Sequence, residues 1–356
     1  MLERVKKLQE KLKVDKLEGL IVVRNSDVRY LTGEQFEAGS AVLVILPEQQ
    51  YLITDGRFKI RLEHADTGFS IIIYDRVKGL YGEAAELLRK KGVRRAGIRY
   101  SDVTHGNFLT LTKAGVQLDD AKPYLDDMRM VKDEGELTLI RKACAISDET
   151  FESILGEIRP GITERDVANL LEFGFRKRGA DGILFDTIVA SGPVNGADCH
   201  ATVSDRKIEK GDLLTMDFGA TYHGYGSDIT RTVVLGKPTD EQRKIYEVVK
   251  EAKKHAQETL RAGTRLKDVA AAGVGWIEKC GYTVPHGIGH SFGYDAHEPL
   301  FISIRDSRAL GVNMVTTLEP GIYIPGVGGV RLEDDYLIGE NGAEQLTHCN
   351  DALQEL

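Results

Sequence analysis

Long apolar runs are missing from this chain. Nothing approaches eighteen successive uncharged apolar residues, so no membrane span is expected. Gathered basic residues are missing as well: Lys and Arg total 47 against 55 Asp and Glu, the net charge is -8, and no basic stripe stands out. That argues against nucleic acid or another polyanion as the main partner, because phosphate binding rests on clustered cations. Cysteine is scarce. Cys144, Cys199, Cys280 and Cys349 are scattered without a paired spacing, which reads as free thiols of a reducing, cytoplasmic compartment and not as a disulfide framework. The start, MLERVKKLQEKLK, has charges too frequent for a signal h-region and spaces Leu2, Val5, Leu8 and Leu12 as an amphipathic helix.

What remains is an ordinary globular composition, 42% hydrophobic and 29% charged. At 356 residues two domains are expected. Residues 1–125 alternate short strands (19–23, 41–46, 50–54, 69–74 and 95–100) with a helix over 80–91, a mixed α/β pattern. Only His64 and His105 among the histidines fall there, without a ligand-like cluster. Residues 117–130 read as a polar stretch leading into a helix over about 132–158, so the second domain is taken as 126–356.

The second half repeats itself. RPGITERDVANLLEFGFRKRG (159–179) and RAGTRLKDVAAAGVGWIEKCG (261–281) share Arg, Gly, Asp, Val, Ala, Lys and Gly at one constant offset, each copy being a Gly turn, an amphipathic helix and a terminating Gly. Histidine-bearing, strand-rich segments follow both copies: His200 and His223 after the first, His286, His290 and His297 after the second. A duplicated unit related by a pseudo-twofold sets such segments on opposite sides of one cleft. His223 reads as a solvated turn residue.

Between the copies, LLTMDFGATYHGYGSDITRTVVL (213–235) reads as a hairpin with one aspartate in each arm. Alternation sets Asp217 opposite the face of Leu214, Met216 and Phe218, and Asp228 enters the second arm two and four residues before Thr230 and Thr232. Two carboxylates converging on one sheet face call for a cation; the alternative is a pair of turn residues bonded to their own backbone. PHGIGHSFGYDAHEP (285–299) packs three histidines among glycines, as ligands or substrate contacts do. TLEPGIY (317–323) and GGVRLEDDY (328–336) each place a glutamate, Glu319 and Glu333, in an apolar strand context where burial demands a partner. An Arg331–Glu333 surface pair is the alternative for the last. A Cys199–His200 nucleophile is disfavoured because strand neighbours point to opposite faces.

Four carboxylates and one neutral imidazole balance two divalent cations, and the oxygen-rich set suits Mn²⁺, Co²⁺, Fe²⁺ or Zn²⁺. Two such ions lower the pKa of a shared water and polarise a carbonyl.

The order Asp217, Asp228, His290, Glu319, Glu333 resembles the metal-dependent pita-bread peptidases, the family of methionine aminopeptidase, aminopeptidase P and prolidase. The first 120 residues look like the creatinase-type N-terminal domain of the Xaa-Pro branch. The resemblance implies an α/β (α+β) chain with a creatinase-like domain followed by a pita-bread domain. It implies removal of an N-terminal residue preceding proline from a peptide, two metal ions (Mn²⁺ or Co²⁺, alternatively Zn²⁺ or Fe²⁺), and a homodimer. It implies that Asp217 and Asp228 hold one ion, His290 and Glu319 the other, and that Asp228 and Glu333 bridge. Glu319 is then general base and acid, His200 and His297 contact the substrate, Arg331 supports Glu333 and counts among the substrate-binding residues, and His286 is a support. One departure stands: many relatives carry Pro-Arg three and four residues after the last histidine, where this chain has Leu300 and Phe301. A pita-bread module without catalysis, from a different function class, is the competing reading; loss of ligands is its mark, and all five are present.

Overall fold

The computed structural model describes residues 2–356. It divides into two compact units, Met1–Met128 and Arg129–Leu356. In the first, six strands form one mixed sheet in the order Ser70–Ile73, Gln49–Thr54, Ala41–Leu46, Gly19–Val22, Arg95–Ile98, Gln117–Asp120. All six residues of Ala41–Leu46 are buried, which fits an unbroken apolar run in a central strand. The helix Leu2–Val14 buries Val5, Leu8 and Leu12, while Leu2 stays exposed.

The polar stretch expected over 117–130 is instead a strand, Gln117–Asp120, followed by a helix, Tyr124–Met130. The strand is an edge, pairing parallel with Arg95–Ile98 alone and burying only Leu118, so its other residues stay polar. The helix is tied down through Asp126, which accepts from Arg24 at 2.6 Å and Arg99 at 2.5 Å.

In the second unit the repeat is a repeat of backbone geometry. The helices Glu164–Lys177 and Leu266–Lys279 are both 14 residues long. Each is preceded by a glycine at positive φ (Gly161 at 96°, Gly263 at 87°) and followed by another (Gly179 at 89°, Gly281 at 87°), conformations that cost any other residue strain. The entering turns bond alike: Gly161 N–H donates to Ile208 O and Gly263 N–H to Leu310 O, both at 2.8 Å. Two further pairs follow at the same offset, Glu164 to Arg206 beside Leu266 to Arg308, and Arg165 to Ser204 beside Lys267 to Asp306.

The same offset carries the strands onto one another. Ile188–Ser191, Leu213–Phe218 and Ile229–Val234 form one antiparallel sheet; His290–Ser291 and Val315–Leu318 begin at the positions equivalent to the first two of these, and Val315–Leu318 pairs with Asp334–Ile338. The 213–235 segment is longer than one plain hairpin. Leu213–Phe218 and Ile229–Val234 pair antiparallel, and a second tight hairpin, Ala220–Tyr222 with Tyr225–Gly226, sits between them with exposed His223 at its tip (φ 48°). Leu214, Met216 and Phe218 enter the core with Phe151 and Phe175, which leaves Asp217 for the other face. Among the described residues no helix is long and apolar enough to cross a membrane.

Candidate metal centre

Two strand pairs deliver four carboxylates. Asp217 lies near the end of Leu213–Phe218 and Asp228 just before Ile229–Val234; Glu319 follows Val315–Leu318 and Glu333 precedes Asp334–Ile338. Glu319 occupies the position equivalent to Asp217 in the repeat, and the two acids, one from each copy, line the same cavity. Glycines allow the arms to close. A Cβ at Gly219 would lie 2.0 Å from Ser227 O, and one at Gly289, which precedes His290, 2.2 Å from Thr317 O.

The five predicted ligands line one cavity, and three of them, Asp228, His290 and Glu333, cluster closely enough to share an ion. His290 Nε2 is 3.5 Å from both Asp228 Oδ2 and Glu319 Oε1, and one ligand atom each of Asp228, His290 and Glu333 fit within 4.8 Å. His290 Nδ1 lies 3.2 Å from Ser291 O, so its N–H donates there and Nε2 presents a lone pair to the carboxylates. Burial, aided by His297, pushes the His290 imidazole down to about 3, so it is neutral at ordinary pH and neither close approach is an ion pair. Burial, then repulsion from Glu333, holds the carboxyls of Asp228 and Glu319 well above the usual range. Burial and the neighbouring Asp217 push Glu333 up to about 8.

Two of the carboxylates, those of Asp217 and Glu333, have one oxygen fixed and one bare. Asp217 Oδ2 accepts from Arg331 Nη2 at 2.6 Å and Glu333 Oε2 accepts from Thr230 Oγ1 at 2.7 Å, whereas Asp217 Oδ1 and Glu333 Oε1 are buried with no partner. Buried acceptors left unpaired beside an imidazole lone pair are costly unless a cation sits among them. The donor set, four carboxylates and one nitrogen, fits divalent cations that prefer oxygen, and does not fit a thiolate-bound structural zinc.

Arg331 is buried and pairs with Asp217, so the alternative of a surface pair with Glu333 fails. Its Nη1 also donates to Tyr323 Oη at 2.8 Å and Cys199 O at 3.1 Å, and its Nε to Thr230 Oγ1 at 3.1 Å. Tyr323 Oη then lies 3.0 Å from His286 Nε2, whose Nδ1 is 2.7 Å from Gly287 O. His286 thus braces Tyr323 and Arg331. A cavity of about 460 Å³ opens beside the donors and is lined by His200 and His297 together with Phe185, Ile188 and Phe301. Cys199 borders it too. The strand alternation expected to separate Cys199 from His200 does not apply, because the segment after the turn Asn195–Ala197 is irregular.

Several supports escaped the sequence reading. Asp335 Oδ2 accepts the backbone N–H of Asp228 at 2.9 Å. Arg231, fully buried, donates to Glu333 O at 2.6 Å and to Asp334 Oδ1 at 2.6 Å, and Lys253 pairs with the other oxygen of Asp334. The available signal was charge inside strands: Arg231 within ITRTVV and Asp334–Asp335 after Glu333.

The model of metallopeptidase family M24 matches residues 138–340, and that of the creatinase/prolidase N-terminal domain matches residues 4–131. An Xaa-Pro dipeptidase of Pyrococcus horikoshii is 35% identical over 98% of this chain and 97% of its own length. Among solved structures, an Xaa-Pro dipeptidase from Bacillus anthracis superposes with a TM-score of 0.94 at 32% identity, covering 100% of this chain and 99% of the other. An X-Pro aminopeptidase from Thermotoga maritima does so with a TM-score of 0.88 at 31% identity, over 98% and 99% of the two chains.

Proposed function

Since the chain belongs to metallopeptidase family M24, with a creatinase-type N-terminal domain before its pita-bread domain, we propose that it hydrolyses the bond between an N-terminal residue and proline. The observation that carries this is the cluster of Asp228, His290 and Glu333 on a cavity that Asp217 and Glu319 also line, with buried oxygens of Asp217 and Glu333 left bare. Asp217 and Asp228 would hold one ion and His290 and Glu319 a second, with Asp228 and Glu333 shared. When bound, two divalent cations, Mn²⁺ or Co²⁺ before Zn²⁺ or Fe²⁺, supply a polarised carbonyl and a water of lowered pKa.

This chain's own groups do the rest. Glu319, with 18% of its side chain open to the cavity, accepts the proton of the attacking water and returns it to the proline nitrogen. His297 and His200 line the cavity and donate where the oxyanion develops. Arg331 fixes Asp217 in place, and its engaged guanidinium makes it a positioning residue ahead of a substrate contact. An Xaa-Pro bond has no N–H, so proteases that pair with an extended backbone lose a hydrogen bond there, and a dedicated site is needed. The test is cleavage of Leu-Pro and Leu-Pro-Leu after exhaustive chelation and after adding back Mn²⁺ or Co²⁺. Activity should vanish and return; turnover indifferent to chelation would sink the proposal.

A further inference from the structure

The cavity beside the five donors has acidic and aromatic walls and no unengaged Lys or Arg. Among the described residues that line it, the carboxylate and guanidinium groups are Asp186, Asp217, Asp228, Glu319, Glu333 and Arg331. Arg331 directs its guanidinium at Asp217, Tyr323, Cys199 O and Thr230, and Arg305, exposed in the following loop, does not line the cavity.

Phe301 stands where such a cation would be useful. It ends the strand Glu298–Phe301 and pairs directly opposite His290, so both side chains leave the same face of the ladder. Its ring stacks on His297, with centroids 6.2 Å apart and planes 23° apart, and 47% of the residue remains exposed. The strand cannot readily swing away, because buried Glu298 is clamped by Arg129 at 2.6 Å and Lys132 at 2.7 Å.

Resting on the Xaa-Pro reading, we propose that Phe301 sets the substrate class: peptides that continue beyond the proline are taken in preference to free Xaa-Pro dipeptides. In a dipeptide the carboxylate is only two bonds from the scissile nitrogen. It must therefore lose water against the rings of Phe301 and Phe185, with Asp186 on the same cavity lining and no free Lys or Arg to meet it. A peptide bond at that place is neutral, and the residue beyond it gains apolar contact with Phe301 and Phe185.

The test uses the Mn²⁺-loaded full chain with Leu-Pro, Leu-Pro-amide and Leu-Pro-Leu. Expected is a kcat/KM for both neutral-ended substrates that exceeds Leu-Pro by roughly tenfold or more. Phe301→Arg should move the Leu-Pro to Leu-Pro-Leu ratio toward the dipeptide by about the same factor, and Phe301→Leu should leave the order unchanged. Calorimetry with proline and prolinamide gives the binding readout: the amide binds more tightly in the parent and the acid in Phe301→Arg, with thermal melts confirming that both variants fold. Preference of the parent for Leu-Pro, or an unmoved ratio in Phe301→Arg, overturns the inference while leaving the Xaa-Pro reading intact. Cleavage of Leu-Leu-Leu with none of the proline substrates touched defeats that reading, and this inference with it.

Discussion

Glu319 and His297 border the same cavity yet should fail differently when altered. Glu319→Gln removes a ligand charge and the proton carrier together, so turnover should fall by roughly 10³-fold or more in a steady-state assay, with less bound metal by elemental analysis. His297→Ala should keep its metal content and lose about 10²-fold in kcat, as removal of an oxyanion donor does. If His297→Ala instead emptied the centre, the division between ligands and substrate contacts would be wrong. At this scale the sequence was legible because carboxylates and imidazoles inside apolar strands are expensive and so betray themselves. It was less legible for pairing: Arg331 sits two residues from Glu333 in sequence but binds Asp217, brought alongside from a separate segment.

At the scale of elements, the duplicated turn and helix were readable because the glycines at 161, 179, 263 and 281 are fixed by backbone conformation and recur in register. The further hairpin at 220–226 and the strand at 117–120 were not, since strands of two to four residues are too short to show a period. The approach of the His290 strand to Val315–Leu318 depends on Gly289, where a methyl would collide with the Thr317 carbonyl. Gly289→Ala should therefore weaken metal binding by about tenfold or more in calorimetric titration, because a displaced backbone misaims His290. Gly275→Ala, exposed on the helix Leu266–Lys279 with nothing within 4 Å, is the control and should be neutral or stabilising by about 0.5–1 kcal/mol.

For the whole molecule the converging acids set a pH dependence. In metal-stripped protein burial and Asp217 push Glu333 up to about 8, above its unfolded value, and Asp228 and Glu319 are raised in the same direction. A carboxyl raised on folding stabilises below its unfolded pKa, and that stability is lost as pH climbs through the folded one. His290, lowered to about 3, and His286 and His297, lowered too, work the other way until their unfolded imidazoles have lost the proton, and add little slope above about pH 7.5. Between about pH 7.5 and pH 8.5 the stripped protein should thus lose thermal stability, and added Mn²⁺ should raise its melting temperature more at the upper end; a flat or rising profile there without metal would contradict the geometry. The sequence by itself determined the repeat, the helices and the five donor types in order, because local conformation and the cost of buried charge are written residue by residue. Only the tertiary structure decided which oxygens are tied and which are left bare, that Arg331 serves Asp217, and that Phe301 faces the cavity opposite His290. Those depend on the register between segments far apart in the chain, and no local pattern encodes it.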